Sequence, residues 1–170
     1  DRFAGKPHEY RLYQLAGAYH ILGNVMIDKE KSIMYYKEEI RIGQQIGAED
    51  LLVNSNMNIG SIYQRQGKLD SALIYSLRGI QYAERTGEKT YEGRILENVG
   101  NIYLKQNQID SAAYWFRRSV QVNKEQNNIS GLASAYTSFA NFYTAKGVAD
   151  SGLHYAKEAF FLSTGLKSAK

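Results

Sequence analysis

Three marks recur along this chain at one fixed interval, and a fixed interval of that size admits only a repeat architecture. Tyr63, Tyr103 and Tyr143 stand 40 residues apart, each three residues after a small residue, Gly60, Gly100 or Ala140. Asp70-Ser71, Asp110-Ser111 and Asp150-Ser151 keep the same spacing. A unit repeated in this way is one supersecondary element that cannot bury its apolar face alone and stacks on its neighbours.

Between tyrosine and aspartate lie Gly67, Asn107 and Gly147, residue types that accept the left-handed conformation in which helices commonly end. The following aspartate can accept hydrogen bonds from the free N–H groups of a new helix, so Gly67 to Asp70 reads as helix stop, tight turn, helix start. A second break at Gly47, Gly87 and Asn127 also recurs every 40 residues, which gives each unit two helices of roughly 15 to 19 residues. At the N-terminus Tyr19 and Gly23 match Tyr63 and Gly67 with a register of 44, and a longer turn is expected from Gly23 to about Asp28. Ala72, Ser76, Ile80 and Ala83 form a small or apolar face at helical spacing, as do Ala112, Phe116, Val120 and Val122 less regularly. Gly60 with Ala72, and Gly100 with Ala112, let paired helices approach, with Tyr63 or Tyr103 filling the space beside them.

These residues resemble the tetratricopeptide repeat (TPR), whose pattern runs W-x2-L-G-x2-Y, then A-x3-F, then P. Leu96, Val99, Gly100, Tyr103, Ala112 and Phe116 reproduce that spacing, while Lys124 stands where the family's proline falls. The period of 40 exceeds the family's usual length of about 34. The resemblance implies an all-α, TPR-like α-solenoid of about four antiparallel hairpins, near 7–47, 48–87, 88–127 and 128–166, in a right-handed superhelix forming one domain over 1–170. Forty-residue versions with Gly-x-Ile-Tyr and Asp-Ser-Ala signatures look like those of bacterial sensor kinases and transcription regulators, particularly of the Bacteroidetes type. A start at Asp1 and the lack of a polar capping helix after the apolar residues Phe160, Phe161 and Leu162 and beyond Leu166 point to a piece of a longer protein.

Composition narrows the function classes. Apolar residues make up 44% and charged residues 22%, which fits a folded chain, and no run approaches the roughly 18 apolar residues of a membrane span. The net charge of +4 is scattered, so a nucleic-acid partner is not expected. The chain has no cysteine, which fits a cytoplasmic or a periplasmic setting equally. His8, His20 and His154 show no ligand spacing, and no phosphate-loop, dinucleotide or nucleophile-elbow motif occurs, so neither metal, cofactor nor catalytic centre is expected. His154 and Glu158 read as an exposed helical pair.

The family resemblance then implies a non-catalytic module that binds a peptide or partner protein on a concave face lined by the first helix of each hairpin. The alternative it implies is a ligand- or peptide-sensing regulatory region of a histidine kinase or transcription regulator, in which binding changes curvature and biases an attached domain. The outward positions of those helices are Asn54, Met57, Asn58, Ser61, Gln64 and Arg65, then Arg94, Glu97, Asn98, Asn101, Leu104 and Lys105, then Ser134, Thr137, Ser138, Asn141 and Thr144. Of these, Asn54, Asn58, Ser61, Arg65, Arg94, Asn98, Asn101, Lys105 and Asn141 form the expected partner-binding set. Asn101 and Asn141 lead it, because they occupy equivalent positions and a side-chain amide can both donate to and accept from a peptide backbone. The carboxylate-clamp lysines of chaperone-binding relatives are replaced by Tyr13, Met57, Glu97 and Thr137. Tyr63, Tyr75, Tyr103, Trp115, Tyr143 and Tyr155 fall on packing positions, whereas Tyr10 and Tyr13 are more open. The open first helix and the apolar last one could dock on each other or on a second copy as a homodimer contact.

Overall fold

The computed structural model describes residues 2–165 and is helical throughout its regular elements: α1 (Pro7–Val25), α2 (Lys29–Ile46), α3 (Glu49–Arg65), α4 (Leu69–Thr86), α5 (Glu92–Lys105), α6 (Ile109–Glu125), α7 (Ile129–Ala145) and α8 (Ala149–Thr164). Sequential helices pair as hairpins, α1 with α2, α3 with α4, α5 with α6 and α7 with α8. The chain divides into two compact units, Asp1–Glu88 and Lys89–Lys170, each holding two hairpins. The expected hairpin end at residue 166 and the continuation beyond Leu166 lie outside the described residues.

The expected breaks take the left-handed backbone they require. Gly67, Asn107 and Gly147 have φ of 74°, 58° and 74°, and Gly47, Gly87 and Asn127 have 67°, 70° and 51°. Two features of the turns differ from expectation. Gly23 does not end a helix: α1 runs on to Val25, and Gly23 is buried where a Cβ would come within 2.6 Å of the Tyr36 ring. Gly23 thus serves close packing of α1 on α2, and the turn shortens to residues 26–28.

The aspartates at the repeat position are also not caps. α4, α6 and α8 begin one residue before Asp70, Asp110 and Asp150, and their N-cap residues, Lys68, Gln108 and Val148, make no side-chain cap bond. The aspartates lie inside the first turn, where a negative charge meets the positive end of the helix dipole. Asp28, by contrast, is a true N-cap, accepting from the N–H groups of Glu30 and Lys31 at 3.0 and 3.3 Å. Asp28→Ala is therefore expected to cost about 1 kcal/mol, and Asp110→Ala only about 0.3 kcal/mol. Thermal unfolding of the two variants measures the difference, and equal losses would contradict these assignments.

In the first unit the core gathers Ile33, Tyr36, Ile59 and Ile62, with Tyr63 and Tyr75 packed against it. Gly60 lets α3 meet α4: a Cβ there would lie 2.5 Å from Ser76 Oγ and 3.2 Å from the Ala72 carbonyl oxygen. In the second unit Ala112, Ala113, Phe116, Phe139 and Phe142 form the core, with Phe116 fully buried. Here Gly100 does the same work, since its missing Cβ would come within 2.6 Å of the Phe116 ring.

Candidate functional site

The face of α3 in the first unit carries a polar stripe at four-residue spacing, Asp50, Asn54 and Asn58, followed by Ser61 and Arg65. The first three are engaged within the unit. Asp50 accepts from Arg2 Nη1 at 2.6 Å and from Tyr13 Oη at 3.2 Å. Asn54 Nδ2 lies 3.3 Å from His20 Nε2. Asn58 hydrogen-bonds the Tyr36 phenol, whose own O–H donates to Asn24 Oδ1 at 2.7 Å. Burial raises the Tyr36 pKa above its usual value, aided by the Glu39 carboxylate, while the Asn58 bond and the Arg65 charge pull the other way. Arg65 is exposed at the end of the stripe, and Ser61 is half-buried.

Behind the stripe stands a group that sequence reasoning missed. Glu39 of α2 is only 2% exposed, lies 2.9 Å from His20 Nδ1 and accepts a hydrogen bond from Ser55 Oγ. The hydrogen bond to Glu39 raises the His20 pKa, the carboxylate's charge adds to that, and desolvation opposes both. The available signal was a carboxylate on a buried helical face, since Glu39 follows Ile33 and Tyr36 at core spacing on α2. Met57, expected to point outward, is instead 2% exposed. Met57 follows the fully buried Val53 by four residues, about one turn, and so falls on the same core-facing side of α3.

In the second unit Glu97 of α5 accepts from Ser134 Oγ at 3.0 Å and from Ser138 Oγ at 2.7 Å, both on α7. This bridge fixes α5 against α7. It also buries Ser138, at 5% exposure, so that this residue faces α5 and not an outside partner. Leu104 packs against the phenylalanine core and leaves the outward set for the same kind of reason. Asn101 lies one turn along α5 from Glu97, and Asn141 lies one turn along α7 from Ser138 and Thr137, so the two amides follow the bridge on adjoining helices. Asn101 is half-buried and Asn141 exposed, and neither side chain makes a hydrogen bond among the described residues. Asn98 is half-buried and already engaged, and Lys105 is exposed. Arg94 stacks over the Tyr91 ring at 5.4 Å.

A cavity of about 530 Å³ on α7 and α8 adjoins Asn141 and is lined also by Ser134, Thr137, Ala159 and Phe160. Among the aromatic residues, Tyr103 stacks on Trp115 at 6.5 Å and Tyr63 packs on Tyr75 at 5.6 Å with a tilt of 37°, as packing positions should. Tyr10 is 49% exposed, while Tyr13 is tied to Asp50. Among the described residues no helix is long and apolar enough to cross a membrane.

Residues 51–125 match the tetratricopeptide repeat family model. No curated protein matches the chain by sequence. Among solved structures the chain is similar to BtubC (BKLC) from P. vanneervenii, with a TM-score of 0.77 and 17% identity over 92% of this chain and 66% of that one. It is similar to aspartyl phosphate phosphatase F from Bacillus subtilis, with a TM-score of 0.76 and 18% identity over 97% of this chain and 42% of that one. It is also similar to a signal-transduction ATPase of Pyrococcus horikoshii that carries a tetratricopeptide repeat sensor, with a TM-score of 0.67 and 21% identity over 95% of this chain and 24% of that one. The chain thus spans less than two thirds of these three proteins. Repeats of this family generally serve as non-catalytic modules for protein–protein interaction, and the matching segment 51–125 is flanked on both sides by helical hairpins of the same plan, so the chain carries tetratricopeptide-type repeats.

Proposed function

We propose that the chain binds an extended segment of a partner protein along the α5–α7 face of its second unit. The observation that carries this reading is the Glu97 bridge to Ser134 and Ser138, which sets two helices side by side and leaves the Asn101 and Asn141 amides uncommitted one turn further on. Each amide can accept a backbone N–H and donate to a backbone C=O, so the pair suits an extended chain and is indifferent to its side chains. Lys105, exposed one turn beyond Asn101, adds a preference for an acidic residue in the bound segment. In the first unit Asn54 and Asn58 are tied to His20 and Tyr36, so the exposed Arg65 is the residue of that stripe best placed for an outside partner.

A regulatory reading attaches to the same face. The chain shares its fold with the sensor-bearing ATPase of Pyrococcus horikoshii, and a partner bound across α5 and α7 would oppose any movement of one hairpin against the other. The test is a pull-down from a bacterial lysate with wild type and Asn101→Ala/Asn141→Ala, after circular dichroism has shown equal helicity. Partners retained by wild type and lost by the variant support the reading, with an expected loss of about 1–3 kcal/mol of binding for two unreplaced hydrogen bonds. Partners kept equally by both overturn it.

A further inference from the structure

The other side of the second unit carries a site of different chemistry. Between α6 and α8, over α7, opens a cavity of about 510 Å³ whose walls include Tyr136, Phe139, Tyr143 and Tyr155. The rings are arranged as a stack: Tyr143 and Tyr155 lie 5.4 Å apart and 5° from parallel, and Phe139 and Tyr155 lie 4.9 Å apart at 19°. Phe139 is buried, whereas the three tyrosines are half-buried and present ring surface to the cavity.

Repeat packing alone does not account for this wall. The equivalent positions of the first unit hold Asn56, Ile59, Tyr63 and Tyr75. Asn56 is buried there and donates to the Leu52 carbonyl oxygen at 2.7 Å. Two of the four rings, Tyr136 and Phe139, are therefore additions to the shared plan.

One edge of the cavity is cationic. Arg117 and Lys124 stand seven residues apart on α6, two turns of one face, and both are exposed and line the opening. Among the described residues neither has a carboxylate partner, while Glu125, which also lines the cavity, accepts from Gln121 Nε2 at 2.9 Å. A stacked aromatic wall beside two unpaired cations matches one ligand chemistry, a planar aromatic group that carries an anionic group at its edge. The volume lies within the roughly 300–1,000 Å³ of small-molecule sites.

We infer that this cavity is a binding site for a planar aromatic anion, separate from the α5–α7 face proposed for partner protein. Ring stacking places the aromatic group against Tyr136 and Tyr155, and Arg117 and Lys124 hold the anion. The group could arrive as a free aromatic acid or as an aromatic side chain followed by an acidic residue, and both present the same features.

The test is calorimetric titration of the whole chain with 2-naphthoate, with its neutral amide, and with a capped tetrapeptide Gly-Trp-Asp-Gly. We expect saturable binding of 2-naphthoate, weakened about tenfold in Arg117→Gln/Lys124→Gln, and the neutral amide bound about tenfold more weakly by wild type. Both substitutions are at exposed positions, and equal circular dichroism checks the fold. Tyr136→Asn, which installs the residue of the equivalent first-unit position, should weaken the acid and the amide alike. Tighter binding of the peptide than of naphthoate assigns the site to peptide side chains, and the reverse assigns it to free acids. No saturation by about 10 mM of either anion, or affinities unchanged in both variants, overturns the proposal.

Discussion

Phe116→Ala is expected to remove about 3–5 kcal/mol from the stability of the second unit. The side chain is fully buried, and its ring lies 5.7 Å from Phe139 and 6.0 Å from Phe142. Truncation leaves a space that its neighbours cannot fill, because α5 meets α6 through Gly100 and has no side chain there to follow the retreating ring. Urea unfolding should show a lower midpoint with little change in slope. A loss below about 1 kcal/mol would mean that the helices collapse onto the gap. Gly100→Ala should be costly by itself, since its Cβ would meet the Phe116 ring at 2.6 Å. In a Phe116→Leu background that cost should fall, and the coupling between the two substitutions measures how far the small-residue position and the aromatic one form a single packing unit.

That unit is the part of the fold most legible in the sequence. Gly100, Ala112 and Phe116 are fixed by one contact between two helices, and a contact that recurs at Gly60 with Ala72 and Ser76 writes itself into the chain as a period. The helix stops were legible for the same reason, because a left-handed backbone admits few residue types. Asp70, Asp110 and Asp150 misled because a capping aspartate and a first-turn aspartate differ by only two positions, and both are favoured there by charge. Gly23 misled because close approach and helix termination demand the same residue. The candidate sites were less legible, since they are built from exceptions to the repeat. Glu39 and Tyr136 have no counterpart of like chemistry in the neighbouring hairpins, and spacing alone cannot say which face of a helix is covered.

His20→Leu is expected to cost about 3 kcal/mol, of which the greater part is the penalty of leaving Glu39 buried without its cationic or hydrogen-bonding partner. Glu39 would retain only the Ser55 hydroxyl. Removing the carboxylate as well, in His20→Leu/Glu39→Met, should recover most of that loss, because apolar replacement of both members of a buried pair is often close to neutral. Equal stability of the single and double variants would show that the pair's burial is not costly. The wild-type pair also predicts a pH dependence. Folding raises the His20 pKa above the ordinary value of about 6.5 through the bond to Glu39, so the folded state holds this proton more tightly than the unfolded chain. The stabilisation is therefore complete below about pH 6.5 and is lost as the pH rises through the raised value. Thermal unfolding across that interval should show wild type losing stability that His20→Leu does not lose. Asn54 gives the titration a structural consequence: neutral His20 can accept from its amide through Nε2, but protonated His20 donates from both nitrogens, and Asn54 must then present its oxygen. An amide on the outward stripe of α3 thus changes from one orientation to the other with a buried proton, and a shift of the Asn54 side-chain NMR signals with the same midpoint as the His20 titration would follow it directly.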